Sequence, residues 1–345
     1  MATAARRPTL AQRTTLRVGG PADAWITATT DDALIAALAH ADGDQGEVLV
    51  LGGGSNLLVA DAGFPGTVVE VATRGLAVEE HRDHVDLRLA AGEPWDGVVA
   101  YAVERGWTGI EALSGIPGRV GATPVQNVGA YGQEIAAVVR QVRVLDRRAG
   151  RVEVLGAEQC GFGYRTSRFK TDPDRWVVLE VVLRLGVGGQ GVPRYAELVA
   201  ALGSTPGGTA DVRAIRDAVL GLRRSKAMVL DDDDHDTWSA GSFFTNPIVG
   251  DDVAGSIPAA CPRYPGNGGV KLSAAWLIEN AGISRGYRLP GSQAAISSCH
   301  TLALTNRGGA SAEQVADLAR VVRAAVSDRF AITLVPEPRL VGLTL

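Results

Sequence analysis

The sequence predicts a mixed α-and-β protein built in two or three lobes, on three observations. Strand-like and helix-like stretches alternate along the whole chain. At 345 residues the chain is longer than one hydrophobic core usually serves. Its 43 glycines exceed the roughly 7% of an average protein and gather in loops, with no collagen-like period. Glycine gathered in this way marks backbone that turns sharply or approaches a ligand closely. The expected segments are 1–74, 75–209, 210–330 and a closing stretch, 331–345.

Each element has a local reason. Thr30, Asp31 and Asp32 supply a start for a helix with Leu34, Ile35 and Leu38 on one face. Residues 47–51 (Glu-Val-Leu-Val-Leu) read as a buried strand running into Gly52-Gly53-Gly54-Ser55-Asn56, and a strand over 67–71 closes this unit near residue 74. Val85, Leu87 and Leu89 alternate with Asp86 and Arg88, the period of a half-buried strand. Pro94 suits the first turn of a helix ending near Gly106. Residues 138–155 form a hairpin turning at 147–150, and a strand over 176–185 ends in the glycines of 186–191. Val212, Ile215, Val219 and Leu222 place a helix over 211–224. Ser273 caps a helix stopped by Gly282, and Ser311 with Gln314 makes a capping box for a helix to about Arg329. A strand over 331–334 leads to Pro336-Glu337-Pro338-Arg339.

Bulk composition excludes several classes. With 46% hydrophobic and 21% charged residues and a net charge of −4, there is no electrostatic reason to expect nucleic acid or an anionic membrane as partner. Cys160, Cys261 and Cys299 are too few and scattered for a disulfide framework or a zinc site. No run approaches the ~18 apolar residues of a membrane span, and the N-terminal Met-Ala-Thr-Ala-Ala-Arg-Arg-Pro lacks the apolar core of a secretory leader. The expectation is a cytoplasmic protein, taken as a monomer.

Five segments are candidates for chemistry. Residues 52–56, following a strand, are either an anion cradle of converging N–H groups or a tight turn. They fit neither the Walker nor the GxGxxG spacing. Residues 114–132 carry five glycines, two prolines and almost no charge. That run is a liner for a large flat ligand, with Gln126 and Asn127 able to bond a heteroaromatic edge, or else an ordered connection. Gly-Phe-Gly-Tyr-Arg-Thr-Ser (161–167) offers Arg165, a carboxylate clamp or a surface cation. Ala-Gly-Ser-Phe-Phe-Thr-Asn-Pro (240–247) offers Ser242, a proton carrier or a turn hydroxyl, and Glu337 lies between two prolines. The acidic run 231–236 has no histidine or cysteine at ligand spacing and reads as a solvated, mobile loop; His40, His81, His84 and His300 show no pairing, and no metal is expected. Without a Ser-His-Asp or metal pattern, hydrolysis is disfavoured and cofactor chemistry is left.

In this order and register, the segments resemble the UDP-N-acetylenolpyruvoylglucosamine reductase family of bacterial peptidoglycan (cell-wall) synthesis. The resemblance runs from Thr14-Thr-Leu-Arg-Val-Gly-Gly20 to Glu337-Pro-Arg339 and rests on 51–58, 116–132, 163–167, 241–247, 271–278 and the terminal Glu-x-Arg. It implies an α+β fold with a two-lobed FAD-binding unit of the vanillyl-alcohol-oxidase (PCMH) type and a C-terminal α/β substrate-binding domain. It implies FAD as cofactor and NADPH as co-substrate. Hydride passes from flavin to C3 of the enolpyruvyl group of UDP-N-acetylglucosamine enolpyruvate, and a proton to C2.

Residue by residue, the resemblance assigns Arg165 and Glu337 to the enolate-like state and Ser242 to protonation of C2. Gly52, Gly53, Gly54, Ser55, Asn56 and Leu57 correspond to the cradle of the FAD diphosphate. Ser114, Ile116, Pro117, Gly118, Gly121, Gly129, Ala130, Tyr131 and Arg339 correspond to the remainder of the cofactor track. Tyr164, Tyr195, Lys226 and Asn246 match substrate positions, Tyr195 marking the subtype with a tyrosine-bearing loop. Thr245 stands where some relatives carry lysine, and His300 where some carry glutamine. Two other readings compete: an oxidase of the same fold acting on a sugar or alcohol, and a non-catalytic nucleotide-sugar sensor. An oxidase needs neither a diphosphate clamp nor a C2 proton donor, and the joint presence of Arg165, Ser242 and Glu337 weighs against a sensor.

Overall fold

The structure, a computed structural model, describes residues 8–43 and 46–345. The reading of the first residues as no secretory leader falls on 1–7, outside the described residues. The chain divides into two compact units. One comprises Ala22–Gly53 and Pro65–Ser225; the other joins Met1–Pro21, Gly54–Phe64 and Lys226–Leu345. Among the described residues no helix is long and apolar enough to cross a membrane.

The unit of Ala22–Gly53 and Pro65–Ser225 is built on two larger sheets. Strands Ala22–Ala28, Phe64–Val71 and Glu47–Leu51 lie in that order, the last two parallel and in register from Glu47 opposite Gly66 to Leu51 opposite Glu70. The helix Asp31–Gly43 starts where its sequence predicts, with the Thr30 hydroxyl accepting from the Ala33 amide at 3.2 Å. Leu34 and Leu38 are fully buried, as their spacing requires. The second sheet is antiparallel, ordered Arg151–Gly156, Val139–Asp146, Trp176–Gly186, His84–Ala90 and Leu76–Glu80. Val85, Leu87 and Leu89 face inward and Arg88 outward, so alternation is a sufficient guide there. Both sheets feed one core with the helix Trp95–Glu104, whose Trp95, Val98, Val99, Ala102 and Val103 are buried. That helix begins one residue later than expected. Pro94 is its N-cap, extended at ψ 124°, not a member of the first turn.

The other unit packs strands Ser239–Ser242, Ala303–Asn306 and Ala294–Ile296 against the helices Ala274–Asn280 and Ala312–Phe330. A smaller sheet is ordered Ile248–Val249, Gly269–Leu272, Arg263–Gly266. The capping box expected at Ser311 is only half formed. Ser311 accepts from the Gln314 amide at 3.1 Å, but the Gln314 side chain accepts from the Gln293 amide instead. The first helical amides, of Ala312 and Glu313, are satisfied by Asp61 from 251 residues earlier in the chain.

No strand forms over 331–334. Ile332 and Leu334 are buried in alternation, as a strand would have them. The stretch begins on Ala331, the left-handed C-cap of the preceding helix, and just beyond it an isolated bridge joins Phe244 to Pro336. The terminal strand is Arg339–Val341, parallel to Leu57–Val59. The acidic run is also more ordered than expected. Asp231–Asp234 are exposed, but Asp236 is buried, where it pairs with Arg307 and accepts from Ser298. A carboxylate so compensated is fixed, not loose.

Candidate active site

Arg165 occupies a tight turn closed by mutual backbone bonds between Gly163 and Thr166, 3.0 and 3.3 Å. Its φ of +52° is a left-handed conformation that non-glycine residues rarely adopt. Two other members of the expected site region share this feature, Asn127 at +46° and Tyr131 at +48°. Strain of this kind persists only where surrounding contacts over-determine it, and it gathers at functional sites.

The contacts that over-determine this turn are explicit. Asn127, 2% exposed, donates from Nδ2 to the Glu134 carboxylate at 2.9 Å and to the Gly163 carbonyl at 3.0 Å. Its Oδ1 accepts from the Ala136 amide at 3.1 Å. The expectation that Asn127 bonds a ligand ring edge is therefore corrected: its amide ties the glycine-rich run to the Arg165 turn. Ser167, also buried, donates to the Val125 carbonyl and accepts from Phe169 and Lys170, capping the helical turn Arg168–Thr171. The Arg165 guanidinium, half-buried, donates to the Gly129 carbonyl at 2.9 Å, and Lys170 Nζ donates to the Arg165 carbonyl at 3.1 Å. Tyr164 is half-buried beside it.

The run 114–132 has little regular structure beyond one 3-10 turn, Val120–Ala122, and a two-residue strand, Gly129–Ala130. Ser114 is buried with its hydroxyl donating to the Glu111 carbonyl at 2.7 Å. Gly115 donates to Asp96 at 2.6 Å, and Asp96 is gripped by both arms of Arg216 at 2.7 and 2.9 Å. Burial works against the charged form of Asp96, but the Arg216 and Gly115 bonds outweigh it and hold its carboxyl below the ordinary range. Ile116, Pro117, Gly118, Gly121, Gly129 and Ala130 are all half-buried. Gly53 approaches Gly118 so closely that a Cβ at 53 would stand 2.5 Å from the Gly118 Cα. The backbone of Gly53 thus packs directly on that of Gly118, while a Cβ on Gly52 would meet the Arg119 side chain at 3.8 Å; glycine at 52–54 keeps this turn free of side chains of its own.

Tyr131 packs edge-on to Tyr195, centroids 5.7 Å apart, and Tyr195 is 44% exposed ahead of the helix Ala196–Ala201. Sequence reasoning does not single out Arg223. It is buried, and burial lowers its pKa against the favourable charges of Tyr131 and Asp96. A signal for it exists: Val212, Ile215 and Val219 are the buried stripe of the helix Val212–Arg224, and Arg223 is the next position on it.

In the other unit, Ser242 ends the strand Ser239–Ser242, opposite Ala303 and beyond a bulge. Gly241, at φ +75°, makes the bend, and the fully buried Phe243 and Phe244, 5.1 Å apart, anchor the chain just past the serine. The half-buried Ser242 hydroxyl has no hydrogen-bond partner among the described residues. Phe243 accepts from the Glu337 amide at 2.8 Å, so the serine strand and the glutamate segment are adjacent. Asn56 completes this arrangement, donating from Nδ2 to the Glu337 carbonyl at 3.2 Å and accepting at its carbonyl from the Arg339 amide. Leu57 lies opposite Arg339 in the parallel pair, and Gly54 and Ser55 precede it. Asn246 accepts from the Ala274 amide at 2.9 Å, which fixes its Oδ1 and leaves its NH2 to donate elsewhere; Lys226 is half-buried, next to Ala227 at φ +52°. Thr245 donates to the Val335 carbonyl.

The loop 52–57 passes from one unit to the other, so the expected set divides. Gly52, Gly53, residues 114–131, Tyr164, Arg165 and Tyr195 belong to one unit, and Gly54, Ser55, Asn56, Leu57, Lys226, Ser242, Asn246, Glu337 and Arg339 to the other.

Comparison with known proteins is consistent across the chain. The family of UDP-N-acetylenolpyruvoylglucosamine reductase C-terminal domains matches residues 233–341, and the FAD binding domain family matches residues 22–156. The UDP-N-acetylenolpyruvoylglucosamine reductase of Cutibacterium acnes is 51% identical over 340 residues, covering 97% of this chain and 90% of that one. The enzyme of the same name from Thermobifida fusca is 51% identical over 354 residues, covering 99% of each. The crystal structure of the Thermus caldophilus reductase superposes with a TM-score of 0.66 at 26% identity, covering 97% of this chain and 98% of that one. The α+β fold, with an FAD-binding domain ahead of a C-terminal domain of the reductase family, is the one the sequence leads us to expect. The chain belongs to the UDP-N-acetylenolpyruvoylglucosamine reductase family of FAD-dependent oxidoreductases.

Proposed function

We propose that the protein reduces UDP-N-acetylglucosamine enolpyruvate to UDP-N-acetylmuramate, a step of peptidoglycan precursor synthesis, with NADPH as the electron source. When bound, FAD supplies the hydride that C3 of the enolpyruvyl group receives. Gly52, Gly53 and residues 116–121 would hold its diphosphate and rings, and Gly129, Ala130 and Tyr131, with Leu57 and Arg339 of the other unit, are also assigned to it. Tyr164, Tyr195, Lys226 and Asn246 bind the nucleotide sugar; the compact Lys226 ammonium suits a diphosphate, and the Asn246 NH2 suits a uracil or sugar oxygen.

The chemistry of this chain's own residues then has two parts. Arg165 presents a planar fork to the substrate carboxylate, which takes up charge as hydride arrives, and Glu337 assists at the same enolate-like state. A preorganised donor of this kind is worth about 3–4 kcal/mol. Ser242 delivers a proton from Oγ to C2. A hydroxyl is a weak acid, but the enolate-like carbon is a strong base, so placement governs the transfer.

The observation that carries this reading is the Ser242 hydroxyl, unpartnered among the described residues on a strand end that is bonded to the Glu337 segment. An oxidase would have no need of it. The test is anaerobic stopped-flow on the flavin-loaded protein. NADPH should bleach the flavin band, and UDP-N-acetylglucosamine enolpyruvate should restore it with formation of one UDP-N-acetylmuramate. Failure of the nucleotide sugar to restore it would overturn the assignment.

A further inference from the structure

We propose that His81, His84 and Asp86, at the tip of the hairpin Leu76–Glu80/His84–Ala90, form a binding site for a borderline divalent transition ion, with Zn²⁺ as the fitting occupant. The sequence shows no pairing for these histidines, but the fold brings them together. The turn is closed by the His81 amide donating to the His84 carbonyl at 2.9 Å. The two rings stack with centroids 4.4 Å apart and planes 18° from parallel. One ligand atom from each of the three residues lies within 4.8 Å of the other two.

The second observation concerns His84 alone. Its Nδ1 lies 2.7 Å from the Asp83 carboxylate, which places the proton of a neutral imidazole on Nδ1 and the lone pair on Nε2. That Nε2 is buried and has no hydrogen-bond partner. A carboxylate behind one nitrogen and an open lone pair on the other is the arrangement of a metal-ligating histidine. Two imidazoles and a carboxylate form a donor set suited to zinc, with a fourth position left for water.

Zinc bonds of about 2.0–2.2 Å put tetrahedral ligand atoms roughly 3.3 Å apart. Closing from 4.8 Å asks for little more than a rotation of His81, which is exposed on the turn. Asp86 is held by Arg184 through both oxygens at 2.8 Å each. That grip orients the carboxylate and still leaves each oxygen a lone pair. The guanidinium opposes a cation, while Asp83 and Glu79, 3.5 Å from His81, attract it. The site would clamp the edge strand Leu76–Glu80 to its neighbour His84–Ala90 at their shared turn.

The test uses the flavin-loaded protein stripped with chelator and dialysed, titrated calorimetrically with ZnCl2, and separately with Co²⁺ read by visible absorption. One Zn²⁺ should bind per chain, and Co²⁺ should give d–d bands of a four-coordinate N/O site. His84→Ala and His81→Ala should each weaken Zn²⁺ at least tenfold, and Asp83→Asn by ~10-fold through loss of the orienting bond. Cys299→Ser should bind as wild type does. Unchanged flavin content in each variant separates loss of the site from loss of fold. Zn²⁺ binding that survives the His81→Ala/His84→Ala pair, or wild-type binding no tighter than millimolar, overturns the proposal.

Discussion

Replacing Asn127 by alanine tests whether the Arg165 turn is held by its internal hydrogen bonds. Three are lost: to the Glu134 carboxylate, to the Gly163 carbonyl and from the Ala136 amide. Neutral bonds contribute about 1 kcal/mol each, and one to a charged group somewhat more. Alanine must also hold a φ of +46°, which asparagine tolerates better. The combined loss is about 4–5 kcal/mol, which corresponds to about 10 °C in the melting temperature of a cooperative unit of roughly 200 residues. Differential scanning calorimetry of wild type, Asn127→Ala and Asn127→Gly measures it. Glycine removes the φ penalty but restores no bond, so it should recover only about 1 kcal/mol. Because the Gly163 carbonyl loses its tether, turnover should fall further than flavin content does. An alanine variant melting within a degree of wild type, with normal turnover, would refute the role given to Asn127 in holding the turn.

Arg165→Lys keeps the charge but loses the planar fork and its bond to Gly129; turnover should drop about 100-fold or more in steady-state assays. Near-normal turnover would remove Arg165 from the carboxylate. Gly53→Ala puts a Cβ 2.5 Å from the Gly118 Cα, a backbone contact that cannot yield without moving the cradle. Flavin should then be lost on gel filtration, whereas retained flavin would count against a cradle there. Acid stability supplies a separate check. Asp146 is buried, and its bonds from Arg175 hold its carboxyl at about 2, below its ordinary value. A depressed pKa means that stabilisation is fully present above about pH 4 and disappears as pH falls toward 2. Arg175→Ala should therefore melt lower than wild type at pH 6 and converge with it near pH 2 in circular dichroism; a constant gap at all pH values would contradict the pairing.

Legibility in the sequence depends on how local each element's cause is. The strand carrying Val85, Leu87 and Leu89 is legible because one of its faces is buried and the other is not. The helix of Leu34 and Leu38 is legible because its start signal and its apolar face lie within a few residues of each other. Strand Ala22–Ala28 is not, because Ala-Asp-Ala-Trp-Ile-Thr-Ala has no clean alternation and is defined by pairing with a strand far along the chain. Leu57–Val59 exists through Arg339–Val341, and the long helix takes its first cap from Asp61. The alternation of Ile332 and Leu334 reports burial correctly, but the stretch starts on the left-handed helix cap at Ala331 and joins no sheet. At the site, glycine clustering and the order of the motifs point to candidate segments. Which of them face a ligand is not legible. Asn127 looks like a ligand donor until its three internal partners are seen, and Arg223 looks like surface until its place on the buried stripe is counted.

Proton delivery from Ser242 to the enolpyruvyl carbon is measured most directly by anaerobic stopped-flow of Ser242→Ala in its two separate half-reactions. With Ser242 as the donor, NADPH should reduce the flavin of this variant within about twofold of the wild-type rate. Reoxidation by UDP-N-acetylglucosamine enolpyruvate should slow by about 10²–10⁴-fold, the range of a lost general acid. Equal slowing of both half-reactions, or reoxidation at the wild-type rate, would contradict that role.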